Sequence, residues 1–169
     1  MSQAVPLLVM IGLPGSGKST WADHFVAQNP GYRLVATDDV RAQIYGDAAV
    51  QGEWLVIWRE VFQRLQDSYR VIAQGKAAGV VYDATNVRRR HRREFTQAVR
   101  GLGYQPLIGV WIDTPLVTCL ARNAGRSRQV PPEVIEKMSR QLAAVPPAAV
   151  EGFDQIERIL SGLPSDALS

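Results

Sequence analysis

Apolar residues are distributed along the chain in two alternating ways. Short unbroken runs closed by glycine or polar residues predict strands at Pro6 to Ile11, Arg33 to Thr37, Val80 to Asp83, Tyr104 to Asp113 and Phe153 to Leu160. The first reads as a strand buried on both faces, and Pro106 confines the start of the fourth to an irregular or edge position. Between them the spacing is helical. Helices are predicted over Ser19 to Gln28, from a Thr37 or Asp38 cap through Tyr45-Gly46, and over Glu53 to Gly75, where Trp54, Ile57, Trp58, Val61, Leu65 and Ile72 recur at one face. Others run from Val87 to Leu102 with Asn86 as cap, from Thr114-Pro115 onward, and from Glu133 to Ala144.

Strands alternating with helices imply an α/β fold, a doubly wound parallel sheet of about five strands. The polar, arginine-bearing stretch between the last two helices, residues 122–131, is a candidate lid. Residues 1–162 are expected to form one domain, and 163–169 a flexible tail.

The 169-residue length fits one domain with a sizeable core, and 46% apolar with 21% charged residues excludes disorder, collagen and coiled coil. With no long apolar span and no signal-like start, a cytosolic chain is expected. A single cysteine, Cys119, forms no intramolecular disulfide and no multi-cysteine zinc cage, so a metal must sit on oxygen. The net charge of +3 is uneven. Residues 86–128 hold nine arginines against Glu94 and Asp113, so that stretch is +7 and the rest −4. Such a segment suits a polyanion; a solvated helix face is the plainer alternative.

Gly12 to Ser19 (GLPGSGKS) fits G-x-x-x-x-G-K-[ST] and lies between a predicted buried strand and a helix. Glycine-rich backbone there wraps a phosphate and the helix presents its positive end to it. Gly12, Pro14, Gly15, Ser16, Gly17, Lys18, Ser19 and Thr20 are the candidate ATP-binding residues, with GTP or another nucleotide possible in its place. Lys18 reaches the β- and γ-phosphates and Ser19 ligates Mg²⁺. Asp83, closing the third strand, is the second candidate Mg²⁺ residue. Asp38 and Arg41, three apart on a helix after the second strand, share a face: a carboxylate to accept a hydroxyl proton beside a guanidinium to hold an anionic acceptor. Arg122 and Arg126 of the lid are candidates to neutralise the transferring phosphates. His24 and His91 read as surface residues, Cys119 as core, and Trp21, Trp54, Trp58 and Trp111 as packing.

Four stretches, GLPGSGKST from Gly12, TDDVR from Thr37, VVYDATNVRRRHR from Val80 and RNAGRSRQVPPEVIEKM from Arg122, resemble the kinase domain of bacterial and bacteriophage polynucleotide 5′-hydroxyl kinases. The resemblance implies that Asp38 is the general base on the 5′-hydroxyl, that Arg41 grips the acceptor phosphate, and that Arg122 and Arg126 contact the ATP phosphates. Asn86, Arg88 and Arg92, from the DATN element and the helix after it, are candidate acceptor contacts. The short spacing from Arg126 to Arg128 departs from the pattern, so Arg128 receives no role. With no phosphatase or ligase module, a free-standing kinase acting on nucleic acid 5′-hydroxyl ends is expected. A small-molecule kinase acting on a sugar, nucleoside, antibiotic or nucleotide sugar, and a nucleotide-dependent binding module without transfer chemistry, are the other readings.

Overall fold

The structure, a computed structural model, describes residues 3–161; the expected tail at 163–169 lies outside them. The elements follow in the order β1 (Leu7–Ile11), α1 (Lys18–Gln28), β2 (Tyr32–Ala36), α2 (Thr37–Tyr45), α3 (Trp54–Ala73), β3 (Gly79–Asp83), α4 (Arg89–Leu102), β4 (Leu107–Asp113), α5 (Leu116–Ala124), α6 (Pro132–Ala144), a 3₁₀ turn (Ala149–Glu151) and β5 (Gln155–Leu160). The five strands form one sheet in the order β2-β3-β1-β4-β5. Every pairing is parallel, with Leu7 opposite both Val80 and Leu107. The expected α/β architecture is the one observed.

β1 and β3 are buried along their full length because helices cover both faces of the sheet. Successive side chains point to opposite faces. Leu8, Met10, Val81, Val110 and Ile112 meet α1 on one side through Ala22, Trp21 and Phe25. Leu7, Val9 and Ile11 meet Ile57, Val61, Leu65, Phe95, Val99 and Ile135 on the other. Each fully buried aliphatic side chain contributes about 1.5–3 kcal/mol, so the centre of the sheet is a rigid base for the loops at its carboxyl edge. The 20 residues of α3 span about 30 Å, whereas the 5 residues of β3 span about 17 Å. α3 is therefore longer than the strand it packs on. No helix among the described residues is long and apolar enough to cross a membrane.

Local differences from the expected elements have simple causes. Thr37 and Asp38 do not cap α2: Ala36 holds the N-cap position and both residues lie in the first turn, where acidic Asp38 suits the positive end of the helix. Asn86 does not cap α4 either. It takes a left-handed conformation with φ 49°, which asparagine tolerates, and its amide donates to the Met10 carbonyl at 2.7 Å, while Arg88 precedes the helix. β4 begins at Leu107, after the proline, where its N–H donates to Asp154 at 2.7 Å.

Candidate functional site

The phosphate-binding sequence forms the turn from β1 into α1. Gly15 and Gly17 have φ of 79° and 99°, a region that residues with a Cβ rarely adopt. A Cβ on Gly15 would also stand 2.6 Å from the Cys119 carbonyl oxygen, and one on Gly12 2.9 Å from that of Ile112. The amides of Gly15, Gly17 and Lys18 take no backbone carbonyl among the described residues. Ser16 Oγ is buried without a hydrogen-bond partner. Open amides, an unmet buried hydroxyl and a concave backbone fit a nucleotide phosphate.

Lys18 is buried and donates to the Leu13 carbonyl at 3.0 Å. Burial lowers its proton affinity, and the carboxylates of Asp83 and Asp38 act in the opposite direction. Ser19 Oγ donates to Asp83 Oδ2 at 2.7 Å, so the two expected Mg²⁺ residues meet although 64 positions apart. Burial raises the Asp83 carboxyl above its ordinary range, opposed by Lys18 and by the Ser19 hydroxyl. No group of three or more histidine, cysteine or carboxylate side chains that could cage a metal occurs among the described residues. One hydroxyl and one carboxylate suit a Mg²⁺ ion whose remaining ligands are phosphate oxygens and water. Thr20 is exposed in the first turn of α1, and Pro14 lies in the turn itself.

Asp38 and Arg41 share a face of α2, with Arg41 Nη1 3.0 Å from Asp38 Oδ1. The Asp38 side chain is 50% exposed, and Arg41 Nε is buried without a partner. A second cation was missed in the sequence. Arg128 reaches back from the lid to place Nη1 3.3 Å from Asp38 Oδ2, so the carboxylate lies between two guanidiniums.

The start and end of α5, which leads into the candidate lid, are tied to the phosphate loop. Thr114 Oγ1 donates to the Ser16 carbonyl at 2.7 Å, and Arg122 Nη1 donates to the same carbonyl at 3.3 Å and to that of Gly15 at 3.4 Å. Arg126 is exposed, close enough to Lys18 for its charge to lower that ammonium's proton affinity. Asn123, a second residue without a role in the sequence reading, is buried. Its amide donates to the Val130 carbonyl at 2.7 Å and accepts the Val130 N–H at 2.9 Å, closing the intervening residues into a loop. An asparagine following the lid's first arginine was the available signal.

The basic helix departs most from expectation. Arg92 is a candidate acceptor contact by sequence, yet its side chain has 0% exposure and is paired with Glu151. Its remaining donors reach the carbonyls of Asn86, Val87 and Val145 at 3.1, 2.8 and 2.9 Å. Every guanidinium N–H is thus used inside the protein, and Arg92 cannot meet a substrate. The Asn86 amide is likewise engaged with the main chain. Arg88 is exposed. Arg90 pairs with Glu94 and Arg100 with Asp154, and with Arg92, Arg122 and Arg128 also engaged, five of the nine arginines of the basic segment hold internal partners. The segment is a patchwork of structural and free cations, not a continuous track.

A five-stranded parallel sheet flanked by helices and carrying this loop defines the α/β fold of the phosphate-loop kinases. The chain belongs to the AAA domain family, which it matches over residues 7–145. It is 26% identical over 136 residues to an L-seryl-tRNA(Sec) kinase of Methanococcus maripaludis, covering 78% of this chain and 50% of that protein. In fold it is similar to a chain of the Pnkp1/Rnl/Hen1 RNA repair complex, with TM-score 0.68 and 23% identity over 84% of this chain and 45% of that one. It is also similar to the tunicamycin resistance protein of Deinococcus radiodurans, with TM-score 0.59 and 17% identity over 90% and 86% of the two chains. This chain therefore spans about half the length of the first two proteins.

Proposed function

We propose that the protein is an ATP- and Mg²⁺-dependent kinase that transfers the γ-phosphoryl group to the 5′-hydroxyl end of RNA or DNA. The observation that carries this reading is the Asp38 carboxylate, solvent-accessible and within the electrostatic reach of Lys18, with Arg41 at its side. Lys18 and the open amides of the loop bind the β- and γ-phosphates, while Ser19 and Asp83 hold the metal. Mg²⁺ at that pair supplies charge neutralisation along the phosphates. Asp38 accepts the proton of the attacking hydroxyl as its oxygen bonds to the γ-phosphorus and the bond to the β-phosphate oxygen breaks, with ADP leaving. Arg41, whose guanidinium stands beside Asp38, holds an acceptor phosphate. Arg122 and Arg126 balance charge at the transferring group, which can be worth about 10³–10⁵ in rate when such a group is fully engaged.

Incubation with γ-labelled ATP and 5′-hydroxyl RNA, 5′-hydroxyl DNA and a panel of nucleosides and sugars tests the reading. Label on either oligonucleotide is expected. Asp38→Asn should retain ATP binding and lose about 10²–10⁴ in transfer rate; near-normal transfer would remove Asp38 from the role of base. The second reading, a small-molecule kinase, is favoured by the internal pairing of the basic segment, and label confined to a small metabolite would establish it. ATP turnover without any acceptor would leave a nucleotide-driven binding module.

A further inference from the structure

A series of aromatic rings climbs from the core to the carboxyl edge of the sheet. Tyr82, adjacent to Asp83, stacks on Phe95 with centroids 4.4 Å apart and planes at 9°. Phe95 meets Trp58 at 5.7 Å, and Trp58 lies 6.3 Å from Trp54, tilted by 22°. His91, in the first turn of α4, stands 6.4 Å from Trp54 at 14°. Nearly parallel rings at these separations are laterally offset, which leaves ring surface open. Trp54 is 46% exposed although the rings beneath it are packed.

Trp54 begins α3, the helix that follows the one carrying Asp38 and Arg41. It is anchored to the helix that carries Asp38 and Arg41, because the Glu53 N–H donates to Tyr45 Oη at 3.2 Å. Burial, and after it the charges of Arg88 and Arg90, lower the proton affinity of His91, with Glu94 acting in the opposite direction. Arg90 is taken by Glu94, whereas Arg88, three positions before His91, is exposed and its side chain has no hydrogen bond or ion pair among the described residues. An exposed indole on a rigid aromatic support, with an unpaired guanidinium at the start of the helix that carries the neighbouring His91, matches a planar base joined to a phosphate. A purely apolar partner would leave that guanidinium without a counter-charge.

Resting on the proposed kinase reading, we infer that Trp54 is a stacking platform for a nucleobase near the 5′ end of the acceptor strand, with Arg88 holding a neighbouring phosphate. Stacking of one base raises affinity about 5- to 150-fold, and Trp54 is not part of the transfer machinery, so the effect falls on acceptor binding.

The experiment uses the full chain and 5′-hydroxyl oligonucleotides that are either intact or abasic at one of the first three positions. In wild type, one abasic position should weaken equilibrium binding of a 3′-fluorescein oligonucleotide about tenfold. Trp54→Ala should abolish the difference between intact and abasic strands and raise acceptor KM about tenfold, with kcat and ATP affinity unchanged, while Trp54→Phe retains most of the binding. Equal binding of intact oligonucleotide by wild type and Trp54→Ala overturns the platform, as does absence of oligonucleotide binding. Thermal melting of each variant separates loss of binding from loss of fold. Binding that depends on Trp54 without label transfer to any oligonucleotide sustains the platform and refutes the kinase reading; transfer that ignores Trp54 does the reverse.

Discussion

Replacing Arg92 by methionine keeps most of the side-chain volume and removes all five donors. The carboxylate of Glu151, whose side chain is 1% exposed, then loses both of its guanidinium contacts, and the carbonyls of Asn86, Val87 and Val145 each lose a donor. Breaking one side of a buried ion pair costs about 3–5 kcal/mol, which for a domain of this size lowers the melting temperature by about 6–20 °C. Thermal unfolding followed by circular dichroism measures the shift, and acceptor KM taken well below the transition measures any direct role. Glu151→Gln, which never meets substrate on this account, should lose stability in the same direction. The double variant Arg92→Met/Glu151→Leu should recover much of the loss, since no unpaired charge stays buried. Arg92→Met melting like wild type while acceptor KM rises would refute the reasoning and restore Arg92 to the substrate.

Gly15→Ala requires a Cβ at a positive φ and against the Cys119 carbonyl; a loss of about 1–3 kcal/mol in stability and weakened binding of a fluorescent ATP analogue are expected. Asp154 is held below the ordinary carboxylate range by the Leu107 N–H and then by Arg100, so its contribution is present above the unfolded value of about 3.9 and fades as pH falls through the lower folded value. Asp154→Asn should flatten the acid limb of a stability-against-pH curve; an unaltered limb would show the contact to be neutral. Asn123→Ala removes both bonds to Val130 and should increase proteolytic cleavage between residues 124 and 129 without changing ATP affinity; equal cleavage rates would argue against the clasp.

The sheet was readable because buried parallel strands appear as unbroken apolar runs and the phosphate motif locates the first strand-to-helix turn. Pairing of Asp38 with Arg41 was also legible, since three positions on a helix fix a shared face. What escaped was direction and distant partnership. Arg92 falls on the stripe formed with Phe95, Thr96 and Val99, which hinted at burial, but Glu151 lies 59 positions away and no local pattern joins the two. Arg128 and Asp38 are separated by 90 positions, and the lid had to fold back before their contact existed. The ring series from Tyr82 to Trp54 draws on three elements, so spacing within any one of them shows only packing.

Because Asn123 fastens the two ends of its loop together, Arg126 and Arg128 lie within one closed loop, whereas Arg122 is bonded to the phosphate loop. Residues 124–129 and Arg122 are consequently held by separate contacts, the former through Asn123 and Asp38 and the latter through the carbonyls of Gly15 and Ser16.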